Sequence, residues 1–121
     1  MKEKDWQSYF NKWVKNVYKK TACFELKKAT GDSLPFCAVV PHQVEALQNA
    51  SNGVLVYKIP DVGYQNPFDS FCLAGVPAYV VIKYPNSFEL IAIDEFIFER
   101  DRSKRKSLTA LRAKEISTIS I

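Results

Sequence analysis

Hydrophobic spacing at the start of the chain predicts a helix followed by a strand. Between residues 4 and 17, apolar side chains recur every three or four positions, which is typical of an amphipathic helix with one buried stripe. The stripe comprises Trp6, Phe10, Trp13, Val14 and Val17. Residues 21–28 then alternate between apolar and polar, so Glu25 and Lys27 project from the same face. This is the pattern of a strand with one polar face.

The middle of the chain predicts a second helix and then four strands. Pro41 suits the first turn of a helix, and the residues "SNG" at 51–53 end it. Four extended runs follow, and they begin at residues 53, 68, 77 and 88. Gly75 stands between the second and third runs, so these two are predicted to form a hairpin. Asp61, in the loop between the first two runs, is interpreted as a turn residue.

The tail of the chain predicts a final helix and completes the fold. A basic loop at 102–106 precedes Ser107, which is predicted to cap that helix. The order of elements predicts an α/β fold, with a mixed central β-sheet flanked by helices. We expect residues 1–121 to form a single domain, because no linker, repeat or low-complexity segment interrupts them.

Composition excludes several classes of protein. The chain has 121 residues, of which 47% are hydrophobic and 25% are charged, as expected for one globular domain. It contains no run of about 18 apolar residues, so no membrane span is predicted. Its first twenty residues are charged and amphipathic, which argues against a secretory signal and favours a soluble, intracellular protein. Three cysteines without CxxC spacing and one histidine argue against disulfides and zinc, and the cysteines are predicted to be buried apolar side chains.

Charge is distributed unevenly along the chain. Residues 1–28 hold eight lysines against three acids, and residues 99–115 hold seven basic residues against three acids. Residues 29–98 hold two lysines against seven acids. The two basic ends could be solvated helices of a structural or interaction protein. Alternatively, they converge on a polyanion such as nucleic acid.

Glu25 and Lys27 form an E-x-K pair on the predicted first strand. A carboxylate at that position can ligate a hard divalent cation such as Mg²⁺, which prefers oxygen ligands. The adjacent ammonium group can hold a phosphate oxygen or orient an attacking water, and so stabilise the charge that develops on phosphorus. The alternative is an ordinary surface salt bridge worth under about 1 kcal/mol. Because one carboxylate rarely holds Mg²⁺ alone, the catalytic interpretation requires a second acid.

The stretch "NPFDSFCLAG" offers a second acid, Asp69, at the start of an extended run. With this residue the sequence resembles the PD-(D/E)xK nuclease superfamily, and within it the phage-type endonucleases and Holliday junction resolvases. In that superfamily a helix with a glutamate leads to a strand with the aspartate, then to a hairpin and a strand with E-x-K. The resemblance covers most of the chain, and each of its motifs is short.

The resemblance implies a role for each matching residue. The stretch "FELKKATGDSLPFCAVVPHQVEAL" is similar to the resolvase segment that runs from the E-x-K strand to a helix opening with His-Gln. The match implies that Glu25 is a metal ligand, Lys27 the catalytic lysine and Gln43 an active-site glutamine. Asp69 would be the second metal ligand. Glu3, on the first helix, would be the helix glutamate and a further ligand.

The order of the motifs departs from the family pattern. The family places the aspartate before E-x-K, whereas Asp69 comes 44 residues after Glu25. Two explanations are open. A rearranged sheet brings Asp69 to Glu25 from a different chain order, which predicts a restriction-endonuclease-like core with rearranged motif order. Otherwise the site has lost an acid, and the protein only binds.

The resemblance implies a Mg²⁺-dependent DNA endonuclease, with Mn²⁺ as an alternative cofactor. Branched DNA such as a Holliday junction is the favoured substrate, and a homodimer is expected because one site cannot cut two strands. Lys28, Lys104, Arg105 and Lys106 are predicted to contact nucleic acid. The alternative is a non-catalytic nucleic-acid-binding or accessory protein with a degenerate nuclease fold. We expect the protein in the cytoplasm, which is that of the host cell if it is phage-encoded.

Overall fold

The computed structural model describes residues 3–60 and 67–121, and it describes side chains from residue 5 onward in those ranges. The helices are α1 (Glu3–Trp13), α2 (Pro41–Asn52), α3 (Ile93–Arg102) and α4 (Ala110–Ile116). The strands are β1 (Cys23–Lys28), β2 (Ser33–Pro35), β3 (Val54–Lys58), β4 (Ser70–Ala74), β5 (Ala78–Tyr84), β6 (Ser87–Ala92), β7 (Ser107–Thr109) and β8 (Ile119–Ser120). Asp61 lies outside the described residues.

A four-stranded sheet with the order β1-β5-β6-β8 forms the centre of the fold. Strand β5 runs parallel to β1 and antiparallel to β6, and β6 pairs antiparallel with β8. The prediction of an α/β fold with a mixed sheet and flanking helices is therefore confirmed. Nearly every residue of β5 is buried, because the strand has a neighbour on each side and side chains packed on both faces.

Two hydrophobic clusters cover the two faces of this sheet. The α1 face is the side covered by α1, and its buried cluster comprises Trp6, Phe10, Tyr79, Val81, Phe88 and Leu90. The α2 face carries the larger cluster, to which α2 and α3 contribute Val44, Leu47, Ala50, Ile93 and Phe96. On β1, Phe24 and Leu26 pack against the α1 cluster and Cys23 against the α2 cluster. The predicted alternation of β1 is thus confirmed.

The predicted first helix ends differently from the expectation. Helix α1 is followed by a π-helical turn, Val14–Tyr18, and Lys19 closes it with a left-handed φ of 53°. The wider turn carries Tyr18 against the α1 cluster, while Val17 is 64% exposed. The assignment of Val17 to the buried stripe was therefore wrong. Trp6 and Phe10 are buried as predicted.

The predicted hairpin through Gly75 was wrong. Strand β4 pairs antiparallel with β3 in a separate two-stranded sheet, which we call the β3–β4 hairpin. After Gly75 the chain runs past α2, where the Val76 amide donates to the carbonyl of Ala50. Strand β5 takes β1 and β6 as neighbours, so no edge of β5 is left for β4. A glycine turn was correctly located, but the strand partners were not.

The tail contains a helix that the sequence analysis missed. Helix α3 begins at Ile93, where a strand was expected to continue. Ser107 was predicted to cap the last helix, and this was wrong, because Ser107 lies in β7 and pairs with Pro35. The side chain of Thr109 caps α4 instead, and it accepts a hydrogen bond of 3.2 Å from the amide of Arg112.

The prediction of buried cysteines was largely wrong. Cys37 and Cys72 are exposed, because the short 3₁₀ turn Phe36–Ala38 and the β3–β4 hairpin lie at the surface. Cys23 is half-buried beneath α2. None of the described helices is both long and apolar enough to cross a membrane.

Candidate functional site

The side chains of Glu25, Lys27 and Gln43 meet on the α2 face of the sheet. Glu25 and Lys27 are two residues apart on β1, so their side chains leave the strand in the same direction. The Lys27 ammonium lies 3.5 Å from Oε1 of Glu25. Gln43, at the start of α2, donates a hydrogen bond of 2.9 Å from Nε2 to the same oxygen. The E-x-K pair on β1 and the glutamine at the start of α2, which both belong to the resemblance, are therefore in contact.

The orientation of Gln43 is fixed by the start of its own helix. Its Oε1 accepts a hydrogen bond of 3.2 Å from the amide of Val40, the residue before α2. This contact satisfies a backbone group that has no partner within the helix. Since Oε1 is held there, Nε2 points toward Glu25 as a donor. The result is a carboxylate held between an amide and an ammonium group.

A cleft of about 360 Å³ opens beside this trio. It is lined by Cys23, Phe24, Glu25, His42, Gln43, Ala46, Leu47, Leu55 and Tyr57. The side chains of Lys27 and Glu25 are 24% and 29% exposed, so both are partly shielded but reachable. Burial raises the pKa of the Cys23 thiol, so this residue stays protonated near neutral pH and forms an apolar wall.

Tyr57 is a cleft residue that the sequence analysis missed. It lies on β3, is half exposed and stacks on Phe71 of β4 at a ring distance of 5.5 Å. Its position depends on the pairing of β3 with β4, which was assigned differently from the sequence. No local signal marks it, because a tyrosine in an alternating strand has no special pattern. His42 lies exposed at the rim of the cleft.

Asp69 belongs to the β3–β4 hairpin, immediately before β4. Its carbonyl accepts a hydrogen bond of 2.7 Å from the amide of Ile59, which extends the ladder by one pair. Because side chains alternate along a strand, Asp69 shares a face with Phe71 and Leu73. Leu73 packs toward the α2 cluster, so this is the face that meets the cleft. Asp69 is exposed and is not among the described residues that line the cleft.

Metal-ligating side chains are sparse in the part of the chain that the structure describes. Within it, no three His, Cys, Asp or Glu side chains are grouped closely enough to hold a metal ion. The contacts of Glu25 with Gln43 and Lys27 both fall on Oε1. The second oxygen, Oε2, receives no hydrogen bond from the described residues. The prediction that Glu3 is a ligand concerns a side chain outside the described part.

The predicted nucleic-acid contacts fall on two separate surfaces. Lys28 ends β1 and projects to the α1 face, opposite to Lys27. Lys104, Arg105 and Lys106 form the exposed loop between α3 and β7. Lys104 and Arg105 line a second cleft of about 340 Å³. The carbonyl of Lys106 accepts a hydrogen bond of 3.0 Å from Phe36, which ties this loop to the segment leading into α2.

An ion cluster lies next to the basic loop, and the sequence analysis also missed it. Glu99 is buried at the end of α3, where Arg112 binds both of its carboxylate oxygens, at 2.7 and 3.2 Å. Arg102 adds a third contact at 3.1 Å. The hydrogen bonds from Arg112 hold the pKa of Glu99 below its usual value. The sequence analysis did not find this ion cluster, because it did not recognise α3, the helix that carries Glu99.

Comparisons with family models, with curated proteins and with solved structures return no match to this chain.

Proposed function

We propose that this protein is a divalent-metal-dependent endonuclease that hydrolyses phosphodiester bonds in DNA. The observation that carries the proposal is the convergence of Glu25, Lys27 and Gln43 on one oxygen beside an open cleft. A surface salt bridge alone would not need a third residue whose orientation is fixed by a helix terminus. The arrangement instead resembles a carboxylate held ready for a ligand.

Lys27 and Gln43 have different roles in this proposal. The Lys27 ammonium holds a non-bridging phosphate oxygen or the attacking water, and it stabilises the negative charge that develops in the transition state. Gln43 keeps the Glu25 carboxylate in one orientation through its Nε2 donor. Tyr57 and Leu55 line one side of the cleft. Gln43 is therefore a positioning residue, whereas Lys27 touches the reacting group.

Glu25 and Asp69 would hold Mg²⁺ or Mn²⁺, which supplies an activated water and charge neutralisation at phosphorus. The donor chemistry fits, since both residues offer hard oxygen atoms. Two observations support this pairing: Oε2 of Glu25 receives no hydrogen bond from the described residues, and the hairpin that carries Asp69 turns this face toward the cleft. Water molecules would complete the coordination shell, as is usual for Mg²⁺.

Branched DNA is the proposed substrate, and a homodimer the proposed active form. Both follow from the resemblance to junction resolvases, in which two sites cut two strands, and not from any measured interface. The same resemblance supports a restriction-endonuclease-like core with a rearranged motif order. Action on DNA would take place in the cytoplasm, or in the host cytoplasm for a phage-encoded protein.

A second candidate function is non-catalytic binding of nucleic acid by a degenerate nuclease fold. Two observations favour it. Asp69 does not line the cleft among the described residues, and these residues contain no cluster of three potential ligands. In that case Glu25 and Lys27 would form a structural pair, and the basic surfaces would carry the whole function.

The decisive experiment is nicking of a synthetic four-way junction in the presence and absence of Mg²⁺. We expect wild-type protein to nick only with the metal, and Lys27→Ala to lose cutting by a factor of about 100 or more while it remains folded. Lys12→Ala is the matched control, because Lys12 is an exposed lysine on α1. Persistent cutting by Lys27→Ala would refute the role of this lysine.

Metal binding can be measured without any cleavage. Calorimetric titration with Mn²⁺ should show weaker binding to Glu25→Gln and to Asp69→Asn than to the wild type. Glu45→Gln, which removes an exposed carboxylate on α2, should bind as the wild type does. If neither substitution changes Mn²⁺ affinity, and wild-type protein binds the junction but does not cut it with Mg²⁺ or Mn²⁺, the second candidate function is supported and the first is wrong.

A further inference from the structure

Two aromatic rings lie on the side of the β3–β4 hairpin that meets the candidate site. Tyr57 of β3 and Phe71 of β4 are directly opposite each other in the antiparallel register. Their rings stack at a centroid distance of 5.5 Å, with an angle of 25° between the planes. Leu55 shares this face of β3 with Tyr57 and packs against the α2 cluster. The strand pairing therefore fixes the Tyr57 ring on the cleft side of the hairpin.

The stack leaves much of Tyr57 open. Tyr57 is 50% exposed, and Phe71 is 36% exposed. Phe71 covers one face of the Tyr57 ring, and no second aromatic ring contacts Tyr57 among the described residues. An aromatic pair across two strands stabilises a hairpin without any ligand, so this exposure is not by itself evidence of a binding site.

The place of Tyr57 in the cleft is what indicates a ligand. Glu25, Gln43 and Tyr57 line the same cleft of about 360 Å³. On its β1 side are a carboxylate and the amide and ammonium groups that contact it. On its hairpin side are Leu55 and the Tyr57 ring. The cleft therefore fits a ligand with a charged, polar end and a flat apolar end, and a nucleotide, with its phosphate and its base, has both.

We propose that Tyr57 stacks on an unpaired base next to the phosphate held by Lys27, so that the substrate is DNA with an unpaired nucleotide at the cleavage site. This inference rests on the endonuclease function proposed above and narrows its substrate. Inside a duplex both faces of a base are covered by its neighbours, so a protein ring can stack only on a base that has left the helix. Leaving it costs least where the base is already single-stranded. Stacking on a tyrosine also tolerates any base, because every base has a π-face.

The test is fluorescence anisotropy with two labelled DNAs of equal length, measured in EDTA so that neither is cut. One is a fork with two unpaired arms, and the other is a fully paired duplex. Tyr57→Ala should weaken binding of the fork about tenfold or more and leave binding of the duplex unchanged. Tyr57→Phe should bind the fork as the wild type does, because it keeps the ring. The salt dependence should stay the same in both variants, since neither removes a charge.

Tyr9→Ala is the matched control. Tyr9 is also a half-exposed tyrosine that stacks on a phenylalanine, but it lies on the α1 face. Its removal should leave binding of both DNAs unchanged. Tyr57→Leu guards against a folding defect, because leucine keeps an apolar contact with Phe71 and lacks the ring, and it should behave as Tyr57→Ala does. Circular dichroism establishes that each variant is folded.

Three outcomes of the binding test would overturn the proposal. The first is wild-type affinity of Tyr57→Ala and Tyr57→Leu for the fork. The second is an equal loss of affinity for fork and duplex, which would mean that Tyr57 contacts the paired helix. The third is a loss of fork binding in Tyr9→Ala but not in Tyr57→Ala, which would place the base on the α1 face.

Cleavage in Mg²⁺ distinguishes failure of this inference from failure of the endonuclease function. We expect the wild type to nick the fork beside an unpaired nucleotide, and Tyr57→Ala to cut the fork less. If the wild type cuts fork and duplex equally and Tyr57→Ala cuts both as well as the wild type does, the endonuclease function is supported and the role of Tyr57 is wrong. If the wild type cuts neither DNA but Tyr57→Ala selectively weakens binding of the fork, base stacking is supported and the endonuclease function is wrong.

Discussion

The carboxylate of Glu99 shows how a single buried residue can make stability depend on pH. Arg112 and Arg102 surround it with three nitrogen atoms at the end of α3. These donors hold the pKa of Glu99 below its ordinary value, so the folded state favours the ionised form. The stabilisation is present above the ordinary pKa and is lost as pH falls through the lowered, folded-state pKa.

We expect Glu99→Gln to lower the free energy of unfolding at neutral pH by about 2 kcal/mol. The cost is below that of a fully buried ion pair, because the Arg112 side chain is 34% exposed and is screened by solvent. Urea denaturation at a series of pH values measures this dependence. The free energy of unfolding should fall less steeply toward acidic pH for the variant than for the wild type.

Glu115→Gln is the matched control for this prediction. Glu115 contacts the same arginine at 3.3 Å, but its side chain is 57% exposed. Its removal should change the free energy of unfolding by less than about 0.5 kcal/mol and should leave the pH dependence of this free energy unchanged. Equal effects of the two substitutions would show that the burial of Glu99 adds nothing to its contribution to the free energy of unfolding.

At the residue scale, the sequence was informative where chemistry follows from local spacing. Alternation along β1 was enough to place Glu25 and Lys27 on one face, and both are there. The approach of Gln43 to Glu25 was suggested by the resemblance, and not by spacing. The position of Tyr57 could not be predicted, since it depends on a strand pairing between distant parts of the chain.

At the scale of elements, the errors came from non-local competition for partners. The stretch "FELIAIDEFIFER" is apolar over most of its length, and such a run does not distinguish a strand from a buried helix. The structure divides it between β6 and α3. Gly75 does turn the chain, with a φ of 63°, but the next strand, β5, pairs with β1 and β6 and not with β4.

The corrected cap of α4 can be tested directly. Thr109→Ala should destabilise the protein by about 1 kcal/mol, because the Arg112 amide loses its side-chain acceptor. Ser107→Ala is the control, since the Ser107 side chain makes no cap in β7, and it should cost clearly less. Thermal denaturation of the two variants measures the difference. A larger loss for Ser107→Ala would contradict the capping geometry.

At the scale of the whole molecule, the sheet separates two surfaces. The α2 face carries the candidate catalytic cleft, and the α1 face carries the α1 cluster. Strand β1 lies at one end of the sheet, and its consecutive residues Lys27 and Lys28 point to opposite faces.

The contribution of the basic loop to duplex binding can be separated from that of net charge. One variant replaces Lys104, Arg105 and Lys106 with glutamine, and a second replaces Lys12, Lys15 and Lys114. Each removes three positive charges, so the formal net charge falls from +4 to +1 in both. All six residues are exposed. The two proteins therefore differ in where the charge was lost, and not in how much.

We expect the loop variant to lower the slope of log affinity against log salt for junction DNA by up to about 2.7, or about 0.9 for each lost phosphate contact. The second variant should lower it much less, because charges that make no contact with phosphate release no counterions. Filter binding or anisotropy across a salt series measures both slopes. Equal slopes would mean that the loop acts only through overall charge. Residues 102–106 would then be an ordinary solvated loop.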